Sequence, residues 1–302
     1  MLDDPSGLVE ITTRTQHGRF LMCPSDKVND LILGVLGRAQ AMYGVAVHAF
    51  IFMSNHLHIL ATVSSPKQMS LFTGFLKGNL AKELGRLHDW RETFWGRRYH
   101  SASVKPTEHD QVRRFMYILD NGCKEGLVAS PLEWPGVSSA TALYRGKSTM
   151  QGTWYDRTAQ YRAHLRGEYK LYPSTETVHL TPLPFLQECS VEEQRAFYVN
   201  AVREIEQKTA QMHQENGTSP LGARAIRRQK PHDKPKAFKA SPAPIVHAAN
   251  PEDFWAMYNA RKAKVADYRD AAKRLKRGET DVRFPEGCFP PRLPFVESRA
   301  PT

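Results

Sequence analysis

Val45-Ala-Val-His-Ala-Phe-Ile-Phe-Met53, then Ser54-Asn55, then His56-Leu-His-Ile-Leu-Ala-Thr-Val63, is the stretch that decides the fold. Both runs are rich in β-branched and aromatic residues, and a short polar break between two such runs predicts a β-hairpin. Side chains alternate across a strand, so His56 and His58 share one face while Leu57, Ile59 and Ala61 enter the opposite layer. About 7 Å apart along the strand, the two imidazoles can reach a single divalent ion.

Upstream, Val9 to Thr15 alternates as a strand and Val28 to Met42 has helical periodicity. Downstream, Leu71, Phe72, Phe75, Leu76, Leu80, Leu84 and Leu87 trace a second amphipathic helix, and Tyr99 to Lys105 reads as a fourth strand. The resulting β-α-β-β-α-β order is that of an α+β sandwich with an antiparallel sheet. Many functions use such a scaffold, so the order alone does not select one.

The segment from Asp110 to Asn121 separates into two faces at helical spacing. Val112, Phe115, Met116 and Leu119 form the expected core stripe, and Arg113, Tyr117 and Asn121 lie roughly opposite. A phenol beside an arginine and an amide is poorly explained by packing. Asn121 also suits a helix C-cap, because Gly122 follows it.

Two imidazoles, a carboxamide and a phenol suit metal-assisted phosphoryl transfer. Cleaving a phosphodiester requires stabilising charge on its non-bridging oxygens, which a hard divalent cation does by coordination. Imidazole nitrogen and carboxamide oxygen can hold such an ion. A tyrosine nucleophile would keep the bond energy in a phosphotyrosine, so a second nucleophile could rejoin strands. Tyrosine ordinarily titrates near 10, so activation needs a nearby cation or base; Arg113, Arg114 and Lys124 are candidates.

Ser54-Asn55-His56-Leu57-His58, Tyr117-Ile-Leu-Asp-Asn121, Lys124-Glu-Gly-Leu-Val128 and Trp134-Pro-Gly-Val-Ser-Ser139 together resemble the HUH single-strand transposases. Within that group the chain is most similar to the REP-associated tyrosine transposases, over roughly residues 8 to 145. The resemblance implies a ferredoxin-like or RRM-like sheet with helices, the HUH endonuclease core. It also implies Tyr117 as nucleophile, and His56, His58 and Asn121 as ligands of Mg²⁺ or Mn²⁺. One departure is Gly122, where many relatives carry proline.

Charge bounds the partners. Forty-two Lys and Arg against thirty-one Asp and Glu leave +11, and Leu221 to Ala240, with seven basic residues and one acidic, supplies six of the surplus. A basic stretch holding Arg227, Arg228 and Lys230 can clamp a polyanion or run as a solvated linker. Arg86, Arg91, Arg97, Arg98 and Lys105 interleave with Trp90, Phe94, Trp95 and Tyr99. That mixture suits single strands, whose bases stack while phosphates pair with cations; alternatively, Trp90 and Trp95 close the core. The expected DNA contacts are Arg97, Arg98, Arg113, Arg114, Lys124, Arg227, Arg228 and Lys230.

At 302 residues, the chain divides into an expected catalytic domain, 1–145, and a mostly helical and extended C-terminal region, 146–302. Val191 to His213 reads as a helix capped by Ser190, Glu215 to Asn250 as an extended proline-containing stretch, and Pro251 opens another helix with a broken apolar stripe. The tail from Phe284 to Phe295 is expected to strap across a surface. Cys23, Cys123, Cys189 and Cys288 have no metal-ligand spacing and suit reduced thiols. With no signal peptide or apolar run of spanning length, a cytoplasmic location is expected, nucleoid-associated on DNA. The spacing leaves monomer or homodimer open.

Other classes fit less well. A histidine-triad hydrolase needs a third histidine where position 60 is Leu, and a two-histidine phosphodiesterase needs a second His-x-Ser/Thr strand, a pattern broken at His100-Ser101-Ala102. A noncatalytic RNA- or single-strand-binding module on the same sheet would display aromatics such as Phe50 and Phe52 on its central strands, but leaves the histidine pair unexplained. The expectation is therefore a metal-dependent endonuclease and strand transferase acting on single-stranded or hairpin DNA. In it, Tyr117 forms a 5′-phosphotyrosine.

Overall fold

A computed structural model describes residues 7–235 and 250–291. The first half runs β1 (Leu8–Arg14), α1 (Asp26–Tyr43), β2 (Ala46–Phe52), β3 (His56–Thr62), α2 (Pro66–Leu87) and β4 (His100–Ser103). These strands form one antiparallel sheet in the order β2-β3-β1-β4, the ferredoxin-like arrangement. The helices start where side-chain caps allow: Ser25 accepts from the Val28 amide and Ser65 from that of Gln68, each satisfying a donor the helix leaves open. α1 stops at Gly44, which takes a left-handed φ of 62° that glycine adopts without a Cβ penalty.

Odd-numbered residues of β1 and β3, among them Val9, Ile11, Leu57 and Ile59, are fully buried in the layer beneath the sheet. The opposite face carries Glu10, Thr12, His56 and His58. Over β2 and β3 it is covered by α3 (Glu108–Leu119), which continues through Asp120 into the short α4 (Asn121–Lys124). The rotation of α3 differs from the sequence expectation. Gln111, Arg114, Phe115, Ile118 and Leu119 turn inward, whereas Val112 and Met116 are half-buried. Arg114 can enter because the buried carboxylate of Glu10 waits on the sheet, Nη1 to Oε2 being 2.8 Å; a desolvated cation needs such a partner.

Beyond residue 139 come α5 (Ala140–Tyr144), β5 (Thr149–Tyr155), α6 (Arg157–Leu165), β6 (Pro173–His179), α7 (Val191–Asn216), α8 (Ala223–Arg227) and α9 (Pro251–Lys276). β5 and β6 form an antiparallel hairpin against α1, an element the sequence pattern did not expose. Its approach is close because Gly34 of α1 faces the Thr153 carbonyl and Gly152 faces the backbone of Gly34; a Cβ at either would collide with main chain. α7 opens with a capping box between Ser190 and Glu193 and packs Phe197 and Tyr198 on Phe115. Of the stretch expected to run extended, 236–249 lies outside the described residues, as does the tail from 292 onward. Residues 217–235 instead fold back, with Leu221 and Gly222 amides donating to the Gly126 and Leu127 carbonyls and Ile226 fully buried.

Candidate active site

β3 lies between β2 and β1, so His56 and His58 stand on a strand held along both edges. The turn before them is closed by the Met53 amide donating to the His56 carbonyl, and Asn55 is fixed from its amide to the Gly18 carbonyl at 3.1 Å. The two imidazole centroids are 5.1 Å apart. α3 brings Tyr117 over them, its ring centroid 5.6 Å from that of His58. One turn later Asn121 places Oδ1 3.3 Å from His56 Nε2. Residues separated by 59 positions in sequence thus meet in one pocket, with Tyr117 still 37% exposed.

The outer ring nitrogens have fixed partners. His56 Nδ1 is 2.6 Å from Asn55 Oδ1, and His58 Nδ1 is 2.6 Å from Glu10 Oε1. A carboxylate can only accept, so it selects the Nδ1–H form of His58. The amide oxygen of Asn55 does the same for His56. Both rings then present an Nε2 lone pair, the arrangement that metal-bound histidines use. Burial, assisted by the nearby charge of Arg14, holds the His56 pKa well below its ordinary value, keeping the ring neutral and able to donate a lone pair.

The donor set fits a divalent cation on a further observation. His56 Nε2, left as an acceptor, faces Asn121 Oδ1, also an acceptor, at 3.3 Å, so two lone pairs meet with no proton between them, an arrangement that a cation relieves. Among the described residues no three His, Cys, Asp or Glu side chains are clustered to hold a metal; the candidate set here is two imidazoles and a carboxamide.

Glu10 links this set to the phenol. Only 2% exposed, it holds His58 through one oxygen and Arg114 through the other, and the Arg114 guanidinium lies 4.2 Å from the Tyr117 ring centroid. Lys124 Nζ lies 3.5 Å from the same centroid. α7 braces the helix junction, Lys208 donating to Asp120 at 3.0 Å. Glu10 was not singled out from sequence, and Asn55 entered only as part of the motif that carries the resemblance. The available signal for Glu10 was a lone carboxylate on the histidine face of an otherwise uncharged stretch, Val9-Glu10-Ile11-Thr12-Thr13.

Gly122 is not a left-handed cap, so Asn121 does not end a helix. It begins α4, and a Cβ on Gly122 would stand 3.0 Å from Val128 Cγ2 and 3.3 Å from the Trp134 ring. Of the expected DNA contacts, Arg97, Arg98 and Arg113 are exposed, Lys124 sits on Tyr117, and Arg114 is committed to Glu10 inside the protein. Arg227 pairs with Asp26, while Arg228 and Lys230 are exposed on a segment whose Gln229 accepts from Ser54, beside the histidine strand. Trp90 and Trp95 are half-buried, and Phe50 and Phe52 are fully buried.

No helix among the described residues is long and apolar enough to cross a membrane. No curated protein matches the chain. Among solved structures it is similar to a REP-associated tyrosine transposase bound to a REP hairpin, at 15% identity and a TM-score of 0.40, over 47% of this chain and 81% of that one. It is also similar to a candidate transposase from Deinococcus radiodurans R1, at 18% identity and a TM-score of 0.28, over 37% and 87%. The sequence family described as Transposase IS200 like matches residues 19–120, a span that holds both histidines and the tyrosine. Over that span the chain is similar to the IS200-like transposases.

Proposed function

We propose that the protein is a metal-dependent nuclease and strand transferase of single-stranded DNA, with Tyr117 as nucleophile. The observation that carries this reading is the convergence of His56, His58, Asn121 and Tyr117 on one pocket. His56 Nε2, His58 Nε2 and Asn121 Oδ1 would hold Mg²⁺ or Mn²⁺. When bound, the ion neutralises charge on the non-bridging oxygens of the scissile phosphate. The Tyr117 oxygen forms a bond to phosphorus as the bond to the 3′ oxygen breaks. The phenol gives up its proton and the departing oxygen gains one, leaving a 5′-phosphotyrosine and a free 3′-hydroxyl. Attack by another 3′-hydroxyl reverses the step and joins strands. Arg114 and Lys124 set a positive field around the phenol and fix its ring. The resemblance in motif favours hairpin-bearing DNA as the substrate form.

The rival, a noncatalytic RNA-binding module, needs aromatics displayed on the central strands. Phe50 and Phe52 lie in the core instead, which disfavours it. The test incubates purified protein with labelled single-stranded hairpin DNAs, with and without Mn²⁺. The expected product is a denaturant-resistant protein–DNA adduct that disappears in Tyr117→Phe. Equal adduct formation by that variant refutes the assignment, and tight RNA binding with no cleavage favours the rival.

A further inference from the structure

A second group of basic side chains lies beside the pocket, partly on an element outside the family match. Thr12 pairs with His58 on one side and with His100 on the other, so the three residues form one row on the same face of the sheet. With strands about 4.8 Å apart, His100 stands roughly 10 Å from His58, on the edge strand β4. α9 runs along that edge. Asp253, which also accepts from Asn250, pairs with Lys105 beyond the end of β4, and Arg261 Nη2 donates to the Ser101 carbonyl at 2.9 Å.

Arg261, Arg97 and Lys77 all act on His100, adding to burial in lowering its pKa. Lys77 donates to the Arg97 carbonyl at 2.8 Å and is itself lowered to about 8 by burial. Four basic side chains from α2, the loop after it, β4 and α9 therefore share one edge. Like charges gathered on a partly desolvated surface repel one another, and a bound polyanion relieves that repulsion. α9 has Ala271 as its buried residue, so this helix contributes more surface than core.

We propose that the edge formed by β4 and α9 is a second phosphate-binding subsite, where Arg261, Arg97 and His100 hold the backbone of single-stranded DNA flanking the phosphate attacked by Tyr117. This subsite rests on the nuclease reading for its substrate. It extends the strand path across the sheet, from the histidine pair over Thr12 to the edge. It also gives a role to a helix that is remote from the pocket in sequence.

The test is a binding measurement on the full chain, by fluorescence anisotropy with labelled oligothymidylates of about 4 and about 12 nucleotides, within the range of single-strand site sizes. The longer strand is expected to bind at least ~10-fold more tightly, and the slope of log affinity against log salt to steepen by about 0.7 per added phosphate contact. His100→Glu, at an exposed position, is expected to erase that advantage with the melting temperature unchanged. Arg261→Met is expected to reduce it and Arg261→Lys to retain the salt slope. If His100→Glu and Arg261→Met bind the longer strand as the parent does, the subsite is refuted. Adduct formation at Tyr117 is scored separately. A parent protein with the length advantage but no adduct sinks the cleavage reading, and one with the adduct but no advantage sinks the subsite.

Discussion

Replacing Glu10 by glutamine tests whether one carboxylate organises both halves of the pocket. Glu10 and Arg114 side chains are 2% and 10% exposed, so solvent screening does not diminish their interaction. Removing one member of such a pair costs about 3–5 kcal/mol when the other is stranded. Glutamine keeps one acceptor oxygen, which can serve His58 or Arg114 but not both, so a loss of about 3 kcal/mol is expected. At ~2 °C per kcal/mol for a chain of this size, the melting temperature should fall by about 6 °C. The second consequence concerns the cation. Loss of the acceptor that orients a metal-bound histidine typically weakens affinity ~10–100-fold. Titrating Mn²⁺ by calorimetry into folded Glu10→Gln protein, at a temperature well below its melting point, separates this effect from stability. Arg114→Met is the control, because it spares the contact of Glu10 with His58 and should lower the melting temperature while changing Mn²⁺ affinity by less than ~3-fold. An unaltered Mn²⁺ affinity in Glu10→Gln would refute the role given to the carboxylate.

Gly34→Ala puts a Cβ against the Thr153 carbonyl. A gain of at most ~1 kcal/mol in helix propensity cannot offset displacement of the β5–β6 hairpin, so a loss of about 3 kcal/mol or more is expected, read by thermal melting and by proteolysis within residues 149–179. Gly122→Ala meets buried side chains rather than main chain, Val128 Cγ2 at 3.0 Å and the Trp134 ring at 3.3 Å, so its loss should be smaller, about 1–2 kcal/mol; an equal loss at both glycines would refute the distinction. Acid sensitivity should come partly from His48 and His56, whose pKa values burial lowers in the fold. Between the folded values and the unfolded value of about 6.5, the unfolded chain binds more protons. Stability is therefore full above about pH 6.5 and falls as the pH drops below it, by up to ~1.4 kcal/mol per pH unit for each group. Melting temperatures that stay flat from pH 7.5 to 5 would contradict this.

The hairpin, the histidine face and the order of the first four strands were legible because they depend on local alternation and on breaks a few residues long. Tyr117 and Asn121 were legible as chemistry, and the family resemblance implied their approach to the histidines, but local patterning did not show how the helix achieves it. That approach depends on how α3 rolls on the sheet, and Arg114 decides the roll. A reading that sorts charged residues outward turns α3 by part of a turn and leaves Val112 in the core. The structure admits Arg114 because Glu10, 104 positions away, meets it. Glu10 in turn is diagonal to His58 only in the register that pairs Thr12 with His58 and Glu10 with Leu60, and register is a long-range property. The β5–β6 hairpin was hidden for a different reason. Thr149 to Tyr155 is partly exposed and only weakly patterned, because it docks through backbone at Gly34 and Gly152 more than through alternating apolar side chains. In each case the missing information was a pairwise fit between distant segments. At Glu10 that fit fixes the tautomer of one candidate ligand and the placement of the arginine on the candidate nucleophile, so the least predictable contact in the pocket is the one on which its chemistry most depends.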